Sequence, residues 1–229
     1  GERRESRRVG GRGVGGVKGE GRVECRHVEA RSAEQALEEA RRAGTVGADA
    51  GQRYAWEGGH GMVPRPRGLE AFFDELISQI DSKVILATHR LGYKIPNDML
   101  KRLIDRYEDK IIAVNFSQAE ASYVIDMHDA FGHQVKIYSG GTQWAITNMG
   151  FGGYGFNSSE TNVMPNTGMA VVEAFRRGDV AIAVEAHSQM LRLSRLFDIL
   201  LPATPRPMKT LLQLLGLPGG RPRTPYLTP

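Results

Sequence analysis

Residues 110–117 read Lys110-Ile111-Ile112-Ala113-Val114-Asn115-Phe116-Ser117, a continuous apolar run rich in β-branched side chains that ends in small and polar residues. A strand with one solvated face alternates apolar with polar. This run does not, so it reads as a strand covered on both faces, as in a parallel sheet. Upstream, Leu100, Leu103, Ile104 and Tyr107 share one face of a helix that starts at Pro96-Asn97-Asp98, with Asn97 or Asp98 as its cap. Before it come the strand-length run Val84-Ile85-Leu86-Ala87 and a helical stripe of Leu69, Phe72, Phe73, Leu76, Ile77 and Ile80. Downstream, a helix carrying Ala121, Val124, Ile125 and His128 leads into the strand Val135-Lys136-Ile137-Tyr138. Strands alternating with helices at this interval make βαβ units and a parallel sheet.

Further out the pattern changes. Ser32 to Gln35 reads as a capping box opening a helix with Ala36, Leu37 and Ala40 that stops near Gly44. Pro165 to Arg177 forms a helix closed by Gly178, and Asp179 caps another whose face holds Val180, Ala183, Val184, His187, Met190 and Leu191. A short Leu-rich helix runs from Met208 to Leu215, before a Pro- and Gly-rich tail. Two successive helices without a strand between them indicate a helical appendix. The first 62 residues hold half of the 28 glycines. Their strand candidates are poor: Val23–Val28 carries Glu24, Arg26 and His27, and Ala48–Trp56 carries Asp49, Gln52 and Arg53, whereas burial penalises charge.

Composition bounds the function. With 41% hydrophobic and 24% charged residues over 229 positions, the chain is of ordinary globular type. A net charge of +4 is too mild to imply a nucleic-acid partner, and the Arg-rich opening reads as a solvated segment. One cysteine, Cys25, excludes an intrachain disulfide and suits a reducing compartment; no apolar run reaches membrane-span length. A soluble cytoplasmic protein without membrane or nucleic-acid partners is expected. No cofactor or metal is expected either. The histidines are scattered, and Gly150-Phe151-Gly152-Gly153-Tyr154-Gly155 precedes a strand, where a phosphate cradle would need a helix N-terminus.

The carboxyl ends of parallel strands form the active face. There the sequence gathers Thr88, His89, Asn115, Ser117, Ser139, Gly140, Gly141, Thr142, Ser158, Ser159 and Glu160. His89 suits a general base near neutral pH and Glu160 an acid or orienting carboxylate. The Ser139-Gly140-Gly141 turn suits a backbone nest for a carboxylate. Each also has a bland reading, as a polar residue that caps a strand.

On these residues the chain resembles the dihydrodipicolinate synthase and N-acetylneuraminate lyase superfamily of class I aldolases. The resemblance runs from about Leu69 to Pro222. It is carried by Ile111-Ile112-Ala113-Val114-Asn115, Ile137-Tyr138-Ser139-Gly140-Gly141, Asn162-Val163-Met164-Pro165, Phe175-Arg176-Arg177-Gly178-Asp179, and Met208-Lys209-Thr210 with Leu215-Gly216-Leu217-Pro218-Gly219. Ser32–Ala50 matches more weakly. The implied fold is α/β, a (β/α)8 TIM-barrel type with a C-terminal helical extension. Residues 1–165 would form the barrel portion, with 1–22 poorly readable, and residues 166–229 the helical region. Barrel strands one and two, with the family's paired threonines, are expected to lie outside this chain. The implied activity is that of a lyase or aldolase acting on a 2-oxo acid or sugar acid, in a homo-oligomer of two or four chains.

The family forms a Schiff base through a lysine at the end of barrel strand six, and that position here is Asn115. A carboxamide nitrogen is not nucleophilic and cannot form the iminium. The family's tyrosine at the end of strand five falls at Ala87, and its pair after strand four near Glu57 and Gly58, with Tyr54 and Trp56 the nearest aromatics. Lys94, in the loop after strand five, is the best substitute amine. Three readings stay open: a divergent member acting through His89 without a covalent intermediate, a non-catalytic binding or structural subunit, or an eroded family member.

Overall fold

The computed structural model describes residues 24–26, 30, 32–54, 64–88, 94–117, 120–200 and 205–222. His89, residues 55–63 and the opening Gly- and Arg-rich segment lie outside them. The chain divides into two compact units between Ile137 and Tyr138.

In the first unit strands and helices alternate: β1 (Glu24–Arg26), α1 (Ala33–Thr45), β2 (Ala50–Tyr54), α2 (Pro66–Ser78), β3 (Lys83–Thr88), α3 (Asn97–Arg106), β4 (Ile111–Phe116) and α4 (Ala121–Phe131). β1 pairs with β2, β2 with β3 and β3 with β4, all parallel. β5 (Lys136–Gly140) carries the chain across the division and pairs in parallel with β6 (Gly155–Asn157). Among the described residues the sheet therefore has six strands in sequence order, β1-β2-β3-β4-β5-β6. This is the arrangement of a TIM-barrel-type α/β fold with fewer than its eight strands. No helix among the described residues is long and apolar enough to cross a membrane.

The expectation that charge weakens the two early strands is overturned. Both β1 and β2 form, and β2 buries Gln52 and Arg53 at 1% and 3% exposure. β4 forms as its apolar run predicts. Its register with β3 slips once: Val84 faces Ile111 but Ile85 faces Ala113, so Ile112 is passed over. From there Ala87 faces Asn115 and Thr88 faces Phe116. That slip decides which β4 side chains share a face with which on β3.

Helix starts and stripes show where local pattern yields to packing. α1 opens at Ser32, whose hydroxyl accepts from the Gln35 N–H at 3.1 Å. The α3 cap is Pro96 rather than Asn97 or Asp98; the Asn97 amide instead donates to the Tyr123 carbonyl at 2.9 Å. The α4 stripe is Val124, Met127 and Phe131, leaving Ile125 40% exposed.

The second unit holds a 3₁₀ turn (Thr142–Trp144), α5 (Ala145–Gly150), β6, a second 3₁₀ turn (Ser159–Asn162), α6 (Pro165–Arg177), α7 (Val180–Leu200) and α8 (Arg206–Leu214). Met149, Val171, Ala186 and Met190 form its core, with Ile146, Phe156 and Phe175 against them. α6 ends as expected at Gly178, in the left-handed conformation, whose N–H returns to the helix. On α7 the buried stripe is Ala183, Ala186, Met190 and Ser194, while Val180 and Val184 are exposed.

Candidate functional site

Alternation along β2 puts Gln52 and Tyr54 on one face and Arg53 on the other. The Gln52 amide donates to the Tyr54 hydroxyl at 2.7 Å. Asn115, at the carboxyl end of β4, reaches across β3 on the same face and donates from Nδ2 to Gln52 Oε1 at 3.2 Å. The register places Ala87 between Tyr54 and Asn115, and its methyl leaves that crossing open. Asn115 is 4% exposed, and its Oδ1 meets no hydrogen-bond donor among the described residues. Gln52 escaped the sequence reading. Its signal was two polar side chains two apart within a strand-length run.

Thr88 lies in the other parity, with Leu86 and Arg53. Its hydroxyl shares a 3.2 Å hydrogen bond with the Tyr123 hydroxyl, which donates to the Ile95 carbonyl at 2.8 Å. Burial, reinforced by the nearby Glu120 charge, pushes Tyr123 up to about 12, although the bond from Thr88 opposes the shift. Tyr123 therefore keeps its proton at neutral pH. Lys94 forms an ion pair with Glu120, its ammonium 5.5 Å from the Tyr123 ring centroid.

In the second unit the expected residues meet around one carboxylate. Glu160, 7% exposed, accepts from the hydroxyls of Ser158 and Ser194, and from Ser159 at 3.2 Å. Ser158 accepts the Glu160 backbone N–H at 3.2 Å and lies 2.8 Å from the Thr142 hydroxyl. Because the Ser158 proton goes to Glu160, Thr142 is the donor in that pair. His187 Nε2 lies 2.7 Å from the Thr142 carbonyl oxygen and so carries its proton there. Burial pushes the Glu160 carboxyl up, but the hydroxyl and backbone hydrogen bonds outweigh it and hold the carboxyl below its ordinary value. Glu160 is an anion near neutral pH, not an acid. Ser194, on α7, was not foreseen.

The glycine turn binds itself. Gly141, at φ +94°, donates its N–H to the Asn157 carbonyl at 2.7 Å, so this donor is committed inside the turn. Ser139 is fully buried, and its hydroxyl has no hydrogen-bond partner among the described residues. No group of three metal-ligating side chains comes together among the described residues.

The sequence pattern of the dihydrodipicolinate synthetase family matches residues 20–229. A 4-hydroxy-tetrahydrodipicolinate synthase of Methanococcus vannielii is 29% identical over 164 residues, 71% of this chain and 55% of that protein. The corresponding Archaeoglobus fulgidus enzyme is 27% identical over 72% of this chain and 56% of its own length. The chain thus spans about half the length of the curated relatives it matches. The crystal structure of a dihydrodipicolinate synthase superposes with a TM-score of 0.86 at 25% identity, covering 97% of this chain and 75% of that one.

Proposed function

The chain belongs to the dihydrodipicolinate synthetase family, and we propose that it is a divergent member that binds a small 2-oxo acid or sugar acid without forming a Schiff base. The observation that carries this reading is Asn115: a carboxamide buried at the carboxyl end of β4, tied to Gln52 on one side, with Oδ1 left as an unanswered acceptor among the described residues. Such an atom suits a ligand hydroxyl, as on a sugar acid or a hydrated oxo acid, and cannot attack a carbonyl. The family's covalent step needs an amine. Lys94, the best substitute, is ion-paired with Glu120. Any chemistry is then enolisation or hydration with His89 as general base. The further ligand-binding candidates are Thr88 in the first unit and Ser139, Gly140, Gly141, Thr142, Ser158 and Glu160 in the second. The protein works in the cytoplasm as a homo-oligomer, as the family resemblance implies.

Because the Asn115 carboxamide offers no nucleophile, binding without turnover is the second reading. Thermal unfolding of the full chain with pyruvate or N-acetylneuraminate tests the site. One of the two should raise Tm saturably, and Asn115→Leu, folded by circular dichroism, should lose that rise. A wild-type Tm indifferent to both ligands contradicts the reading. Turnover of the stabilising ligand separates catalyst from binding subunit.

A further inference from the structure

Gln52 stands behind the residue that carries the proposed function. It is 1% exposed in the interior of β2, where an unpaired amide is costly, and both ends of its side chain are used. Nε2 donates to the Tyr54 hydroxyl at 2.7 Å, and Oε1 accepts from Asn115 Nδ2 at 3.2 Å. With Ala87 between Tyr54 and Asn115 in the register, these side chains make one row on one face of the sheet.

The row has a direction, and the direction fixes the chemistry of its open end. Because the Tyr54 hydroxyl accepts from Gln52 Nε2, it is Oε1 that faces Asn115, and Asn115 must meet it with Nδ2. Oδ1, buried and without a donor among the described residues, is left at the end of the row. In the reversed row Tyr54 would donate to Oε1 and Gln52 Nε2 to Oδ1, leaving Nδ2 as the open group. A ketone oxygen only accepts, so it meets Oδ1 lone pair to lone pair, whereas a hydroxyl donates to it. An ammonium would donate too, but a neutral row does not offset the burial of a charge.

We propose that Gln52 is the positioning residue of this site: by holding Nδ2, it makes the site select a 2-hydroxy acid over the corresponding 2-oxo acid. A 2-oxo acid is then held through its hydrate, whose hydroxyls donate, and its apparent affinity is lowered by the fraction hydrated. Gln52 touches no ligand and acts through the carboxamide it orients. This selectivity rests on Asn115 being the ligand-facing residue, as proposed above.

Calorimetric titration of the full chain with lactate and with pyruvate tests it. Lactate should bind at least about tenfold more tightly than pyruvate, the scale set by leaving one buried acceptor unanswered. In Gln52→Leu the Asn115 carboxamide can turn either end outward, so the ratio should fall toward one. In Gln52→Glu, whose carboxylate accepts from both Tyr54 and Asn115, the ratio should stay. Lost packing alone would weaken both ligands together and leave the ratio unmoved. Should Gln52→Leu not fold, Tyr54→Phe, which removes the acceptor of Nε2 and lets the Gln52 amide turn, should lower the ratio in its place. Pyruvate bound as tightly as lactate by the wild type, or a ratio unchanged in these variants, overturns the role of Gln52; binding that Asn115→Leu abolishes still upholds the reading of Asn115. No binding of either acid overturns the selectivity, and if N-acetylneuraminate also leaves Tm unmoved, the reading of Asn115 falls with it.

Discussion

Glu160 shows how a buried carboxylate is kept charged: three hydroxyls donate to it, and one of them, Ser194, comes from α7. Hydrogen bonds to a charged group contribute about 1.5–3 kcal/mol each, with strong non-additivity in a cluster. Glu160→Gln keeps the shape, removes the charge and turns donors toward donors. It should cost about 2–4 kcal/mol in urea unfolding at neutral pH. The pH dependence has a definite sign. The folded carboxyl sits below its ordinary value, so its stabilisation is complete above the unfolded value of about 4.3 and drains away as pH falls through the folded one. Below about pH 4 the wild type should therefore lose stability more steeply than Glu160→Gln. Chain order was enough to bring Ser158 and Glu160 into view, because both follow the last strand. Ser194 was not readable, since it meets Glu160 across tens of residues and only the packed structure selects which polar side chains face each other.

Among the elements, the existence of helices and strands was legible and their phase was not. A helix with apolar residues on more than one face leaves its stripe open to a shift of one position. On α4, packing chose Met127 over Ile125. On α7 it chose the small Ala183 and Ala186, whose size permits close approach to α6. Caps behaved similarly. Ser32 caps α1 as read, accepting the Gln35 N–H, while the Gln35 side-chain amide donates to Glu39 one turn on. Ser32→Ala should therefore cost about 1 kcal/mol, the loss of one capping bond, in equilibrium denaturation. Gly141 is held at φ +94° between β5 and the following 3₁₀ turn. Gly141→Ala should cost about 1–2 kcal/mol by the same measurement, because an L-residue there is strained.

For the molecule as a whole, the alternation of apolar strands with amphipathic helices carried the fold class, and the parallel pairs in sequence order bear it out. The early strands were undervalued because Gln52 and Arg53 argued against burial; the structure buries both, one within a hydrogen-bonded row and one beside a cavity. Function is harder to read from pattern, since a fold hosts many chemistries and the reacting group decides among them. In the function we propose, Asn115 stands where the family resemblance leads one to expect the reacting lysine. If Asn115 has replaced the reacting amine, no covalent adduct forms with the oxo acid. Intact mass of the folded full chain after incubation with pyruvate and borohydride is the sharpest check, with a competent family enzyme treated in parallel. The mass of this chain should stay unchanged while the control gains one reduced pyruvate; a reduced pyruvate on this chain, mapped to Lys94 or any other lysine, would refute the loss of Schiff-base chemistry.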